Sequence, residues 1–158
     1  MSTATTPSPV RQLTPLSELR VLSVKQPWAW QIFHDGKDIE NRLLPIGNYR
    51  GPVAIFAPAH PDVAALRQLP SSIRRERRFE VGAVIGVANL VDSHDASWCG
   101  ADEYGNALRM CSPWALRGQQ HLVLTDPIAL REPVEARGRR GLWRVGPGLL
   151  GRILEQLG

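Results

Sequence analysis

The segment Gly36-Lys37-Asp38-Ile39-Glu40-Asn41-Arg42 places two cations and a carboxylate, Lys37, Arg42 and Glu40, within six residues. Such a set can do two kinds of chemistry. Lys37 and Arg42 would hold a phosphate or another oxyanion, Arg42 through its planar fork of donors. Glu40 would accept a hydrogen bond from a base edge or take a proton as a general base. A lysine beside Arg42 also has reason to titrate low, because a neighbouring cation disfavours its charged form. Lys37 is therefore a second candidate base. The competing reading is an exposed strand carrying a Glu40–Arg42 surface ion pair, worth under ~1 kcal/mol. The residues by themselves leave both readings open.

A second cationic point is Lys25-Gln26-Pro27-Trp28. Proline suits the first position of a helix, which would leave the amides of Trp28 and Ala29 free. With Lys25 and Arg50 they would form an anion site. The alternative is that Gln26 caps the helix and Lys25 is solvated. Among the tryptophans, Trp28 is the preferred base-stacking platform and Trp114 the second, while Trp143 reads as core. His94, Cys99 and Cys111 fall in one long loop, yet no pair has C-x-x-C or H-x-x-x-H spacing, and His60 and His121 are isolated. No metal and no cofactor is expected from that pattern. Nor is there a clear Ser/His/Asp or Cys/His set.

These side chains need elements to position them. A helix from Pro27 stops at Gly36, with Ala29, Ile32 and Phe33 as its inward stripe. The strand that follows puts Glu40 and Arg42 on one face and Lys37 nominally on the other. A shared site therefore needs Lys37 in the helix-to-strand turn, or a bulge after it. Further strands are expected at 20–25, 51–58, 81–93, from His121 through an Asp126-Pro127 turn, and at 141–145. One helix starts near Asp62. The last is amphipathic, with Leu149, Leu150, Ile153, Leu154 and Leu157 sharing a face. Residues 94–117 read mostly as loop, which a protein partner could also use. Residues 1–18 read as a disordered Ser/Thr/Pro-rich tail, leaving 19–158 as one domain. The fold class is α+β, mainly β: a small barrel or curled sheet of five to six strands with flanking helices.

Composition sets outer bounds. The chain has 158 residues, 43% hydrophobic and 22% charged, with a net charge of +4. Its isoelectric point near 9.7 favours a polyanionic partner. Two cysteines make no disulfide framework, no signal peptide is visible, and no segment approaches the ~20 apolar residues of a membrane span. A cytoplasmic setting with no membrane association follows as the expectation.

Leu-Ser-Val-Lys-Gln-Pro-Trp-Ala-Trp (22–30), Gly-Lys-Asp-Ile-Glu-Asn-Arg (36–42) and Tyr-Arg-Gly-Pro-Val-Ala-Ile-Phe-Ala (49–57) together resemble the ASCH family, named for homology to the activating signal cointegrator. The segments 84–92 and 112–145 resemble its later strands, so the likeness runs from Leu22 to Val145. The family's mark is Gly-x-Lys-x-x-Glu-x-Arg. Here Asp35 stands at the glycine position and Gly36 directly precedes Lys37, so the turn into the strand differs; Lys37, Glu40 and Arg42 fit. The resemblance implies a PUA-like β-barrel with a cleft for RNA or DNA. Because the family's last strands border that cleft, it adds Arg137, Arg139 and Arg140 as phosphate contacts, whereas Arg74–Arg78 read as a solvated face. Some members cleave RNA, and a smaller branch removes an acyl group from a modified cytidine. That branch carries Gly-x-Lys-Thr-x-Thr with a threonine nucleophile where this chain has Glu40, so its mechanism does not transfer. The leading expectation is an RNA-binding domain with a basic cleft lined by Lys25, Lys37, Glu40 and Arg42. The alternative is a hydrolase of RNA or a modified nucleoside, with Lys37 and Glu40 catalytic.

Overall fold

The strand β3, Gly51–Ala57, contains no charged residue and is buried along its whole length. A strand covered on both faces reads as such a continuous apolar run. The computed structural model, which describes residues 18–76, 79–99, 103–104 and 110–157, places it inside a six-stranded sheet. The other strands are β1 (Arg20–Ser23), β2 (Ile39–Arg42), β4 (Ala83–Asp95), β5 (Gln120–Glu135) and β6 (Leu142–Arg144). Their order is β2-β5-β4-β3-β1-β6, with β1 parallel to β3 and every other neighbouring pair antiparallel.

Alternation along β3 divides the core in two. Val53, Ile55 and Ala57 join Leu22, Ile32, Leu90 and Leu122 on one face, under the helix α1 (Trp28–His34). Ala54 and Phe56 join Val21, Val134 and Ile153 on the other, under α4 (Pro147–Leu157). Two short helices, α2 (Val63–Gln68) and α3 (Ser71–Glu76), follow β3. Asp62 is the N-cap of α2, accepting from the Ala65 amide at 3.0 Å. On α4 only Ile153 is fully buried and Leu154 is 39% exposed, so the expected five-residue face is narrower than its spacing suggests. Arg74 and Arg75 lie exposed on α3, while Arg77 and Arg78 fall outside the described residues. The expected tail falls there too, apart from Glu18.

Three expectations are corrected by the sheet. The sheet does not close into a barrel: β2 and β6 are its two edges. It is nevertheless curled. In a flat sheet β2 and β1 would lie about 19 Å apart, at ~4.8 Å per strand, yet the Arg42 guanidinium of β2 donates to the Ser23 carbonyl at the end of β1. The Asp126-Pro127 pair does not end a strand either. Asp126 takes φ 52°, the β4–β5 ladder slips there, and β5 continues as one bent strand. Finally, β4 runs on through Asp95, so His94 belongs to a strand rather than to the 94–117 loop.

Candidate nucleic-acid interface

The positions of Lys37, Glu40 and Arg42 follow from how α1 ends. Gly36 takes φ 70°, a conformation suited to glycine just beyond a helix C-terminus, and the Lys37 amide returns to the Gln31 carbonyl at 3.1 Å. Lys37 thus sits in the helix-to-strand turn, where a shared site requires it, and β2 begins at Ile39. Its side chain is buried and its Nζ donates to the Ile39 carbonyl. Nζ lies 3.8 Å from Glu40 Oε2, and Arg42 Nε lies 3.4 Å from Glu40 Oε1. The Lys37 ammonium is also 5.5 and 5.6 Å from the ring centroids of Trp28 and Trp114, within cation–π range.

Both ends of this ion pair are perturbed by the same cause. Burial pushes the Glu40 carboxyl above its ordinary range, against the opposing pull of Arg42 and then Lys37. Burial likewise lowers Lys37, more than the Glu40 and Asp38 charges raise it. Arg42 Nε is buried and makes no hydrogen bond, although it faces the Glu40 carboxylate.

A cavity of about 860 Å³ opens over this cluster. It occupies the seam between the two sheet edges. Glu40 and Arg42 of β2 line one side, and Arg139, Arg140 and Gly141, just before β6, line the other. Ser23, Lys25, Trp28 and Phe56 complete much of its wall. The segment 138–141 between β5 and β6 is anchored by Ser23 Oγ, which donates to the Arg139 carbonyl at 2.8 Å. It also passes so close to Phe56 that a Cβ on Gly138 would come within 2.3 Å of the ring. A smaller hollow beside the cavity shares Trp28 and Glu40 and adds Lys37, Asn41 and Trp114.

The structure therefore brings together Lys25, Trp28, Lys37, Glu40, Arg42, Trp114, Arg139 and Arg140. It does not bring Arg50, which precedes β3 at the far end of that strand and donates to the carbonyls of Gly47, Tyr49 and Ser93. Arg137 is exposed and does not line the cavity. The free helix end is also corrected. Of the two amides expected to be free, that of Ala29 donates to the Lys25 carbonyl at 3.2 Å, and Gln26 Oε1 accepts from the Trp30 amide at 2.9 Å, so Gln26 folds over the first turn. Trp143 packs edge-on against Phe56 as an aromatic of the second core cluster.

Several residues escaped the sequence reading. Asn41 ties the Trp114 wall to β2: its Nδ2 donates to the Trp114 carbonyl and its Oδ1 accepts from the Leu116 amide, both at 2.9 Å. His60 lines the cavity, and no local pattern marks it. The set dismissed for metal is also changed: His94, Cys99, Cys111 and His121 converge, their donor atoms all within 4.8 Å of one another. Their signal lay in strand register, since His94 and His121 are directly paired on β4 and β5.

Among the described residues, no helix is long and apolar enough to cross a membrane. No protein-family model and no curated protein matches the chain. Solved structures do. The crystal structure of ASCH from Zymomonas mobilis aligns with TM-score 0.53 at 15% identity, covering 88% of this chain and 95% of that one. A Tyr-to-Phe mutant of the same protein aligns at TM-score 0.52 and 15% identity, over 87% and 97% of the two chains. A Ser-to-Ala mutant aligns at 0.51 and 16%, over 90% and 98%. At these identities the likeness concerns the fold, and it spans nearly all of both chains: this protein has an ASCH-like fold.

Proposed function

We propose that the domain binds single-stranded RNA in the seam between β2 and β6. The observation that carries this reading is one hollow lined by Lys25, Arg42, Arg139 and Arg140 together with Trp28. Cations suit phosphates, and an indole face suits an unstacked base. About 860 Å³ is the scale of a small-ligand pocket, which admits splayed nucleotides and not a duplex. The basic balance and the ASCH-like fold support the same reading. Binding of labelled single-stranded RNA, followed by anisotropy across a salt series, should weaken steeply with salt. It should weaken again when Arg42 or Arg140 is changed to Glu. Equal binding by these variants rejects the proposal.

A second reading, hydrolysis of RNA or a modified nucleoside, is favoured by one specific feature. Burial pushes Glu40 up and Lys37 down, each towards the range where a side chain exchanges protons near neutrality. In that case Glu40 would activate water and Lys37 would stabilise developing negative charge. Product formation from RNA or acetylated cytidine, lost in Lys37→Ala, supports the enzyme. No turnover across the substrate panel leaves the binder.

A further inference from the structure

Beside the cleft, on the far side of β5 from β2, two histidines and two cysteines meet. His94 and His121 are paired across β4 and β5, with ring centroids 5.3 Å apart. Cys99 follows the short turn at Ala96–Trp98, and Cys111 returns the chain to the same point. The Cys111 Sγ is 3.6 Å from His121 Nδ1. Four-coordinate zinc with Zn–S of about 2.3 Å and Zn–N of about 2.0–2.1 Å requires ligand atoms ~3.3–3.8 Å apart. That contact already has this length. All four donor atoms lie within 4.8 Å of one another, about 1 Å beyond the longest of those separations.

The surroundings are those of ligands rather than of a random polar cluster. Each imidazole has one nitrogen engaged by an oxygen outside the cluster. His94 Nδ1 contacts Asp92 Oδ2 at 2.8 Å, and His121 Nε2 contacts the Leu116 carbonyl at 2.6 Å. Such bonds set the tautomer and leave the other nitrogen as donor to a metal. That nitrogen is Nδ1 of His121, against the Cys111 sulfur, and Nε2 of His94, which is buried and has no hydrogen-bond partner. The Cys111 amide donates to Cys99 Sγ at 2.7 Å, a contact that stabilises a thiolate. Both cysteines are free thiols.

We infer that His94 Nε2, Cys99 Sγ, Cys111 Sγ and His121 Nδ1 form a tetrahedral structural site for one divalent zinc-type cation, with Asp92 as the positioning residue behind His94. Binding replaces the two thiol protons, which leave to solvent, with two metal–sulfur bonds. The site also bears on the cleft. Leu116, whose carbonyl holds His121, donates its amide to Asn41, and Asn41 holds the Trp114 carbonyl. The metal would fix the base of the Trp114 wall.

The test is a cobalt(II) titration of the full chain, thiols kept reduced, followed by competition with zinc(II). The expected result is one equivalent bound, with the visible bands of tetrahedral cobalt and an ultraviolet thiolate-to-cobalt band that zinc abolishes. Cys111→Ser, at an exposed position that tolerates the change, should lose about half of the thiolate band and bind far more weakly. Asp92→Asn should keep the spectrum and lower the affinity about 10–100-fold. No stoichiometric tetrahedral spectrum in the parent chain overturns the assignment. So does a Cys111→Ser variant that binds like the parent, or a pair of thiols that oxidises readily to a disulfide yet takes no metal.

Discussion

The two polar clusters meet at β5, one on the neighbouring strand β2 and the other on β5 itself and β4, and are built in opposite ways. Lys37, Glu40 and Arg42 are neighbours in sequence, on one turn and one four-residue strand. His94, Cys99, Cys111 and His121 span 28 residues and meet because β4 and β5 are in register. β5 connects them: His121 lies opposite His94 on one side and opposite Asn41 of β2 on the other. The first cluster is charged, and its charges compensate one another under burial. The second has soft donors with outer oxygens already in place. One set suits an anion that comes and goes, while the other suits a cation that stays.

The sharpest way to break this contrast is Lys37→Met. It strands the Glu40 carboxylate with one cation instead of two, and loss of a buried partner costs about 3 kcal/mol of folding stability. Urea denaturation measures it. In metal-free protein, Cys111→Ser at its exposed position should cost under ~0.5 kcal/mol by the same method. Next in size is Arg42→Glu, which removes a charged donor worth about 2 kcal/mol and weakens single-stranded RNA binding about thirtyfold by anisotropy.

The pH dependence follows in size and separates the two readings of the cleft. Glu40 is raised above 4.5, so acid removes a negative charge from the cleft floor earlier than usual. Lys37 is lowered below 10.5, so alkali removes a positive charge earlier than usual. RNA affinity should therefore fall from acid to alkaline pH, by about fivefold for one screened charge near ~1 kcal/mol. Hydrolysis with Glu40 as base should instead rise with pH through the same titration. A flat profile for both would break the role assigned to the ion pair. Smaller again, Arg140→Ala should weaken binding about threefold and reduce the slope of log affinity against log salt by about 0.7. The smallest effect is Arg50→Ala, which should leave RNA binding within about 0.3 kcal/mol of the parent, because its guanidinium is spent on backbone carbonyls outside the cleft.

Local patterns carried much of this architecture. The stop at Gly36, the buried run of β3 and the Lys37–Glu40–Arg42 constellation could all be read before any coordinates, because helix ends, apolar strands and short motifs are decided over a few residues. Their likeness to the ASCH family agreed with the fold observed. Errors arose where distance in sequence mattered. Arg50 looked as well placed as Arg140, yet seven residues of extended strand carry it away from the seam. The Ala29 amide looked free, yet the Lys25 carbonyl takes it, and Gln26 folds back onto the Trp30 amide.

What the sequence alone determined, then, is which side chains could act together on one turn or strand, since period and turn chemistry are local properties. Tertiary structure alone decided that the sheet stays open, so that its two edges become the walls of a cleft. It also decided that four residues with no motif spacing share one point. Both outcomes depend on register and curl, which are set by packing both faces of β3 at once and are therefore properties of the whole sheet rather than of any segment.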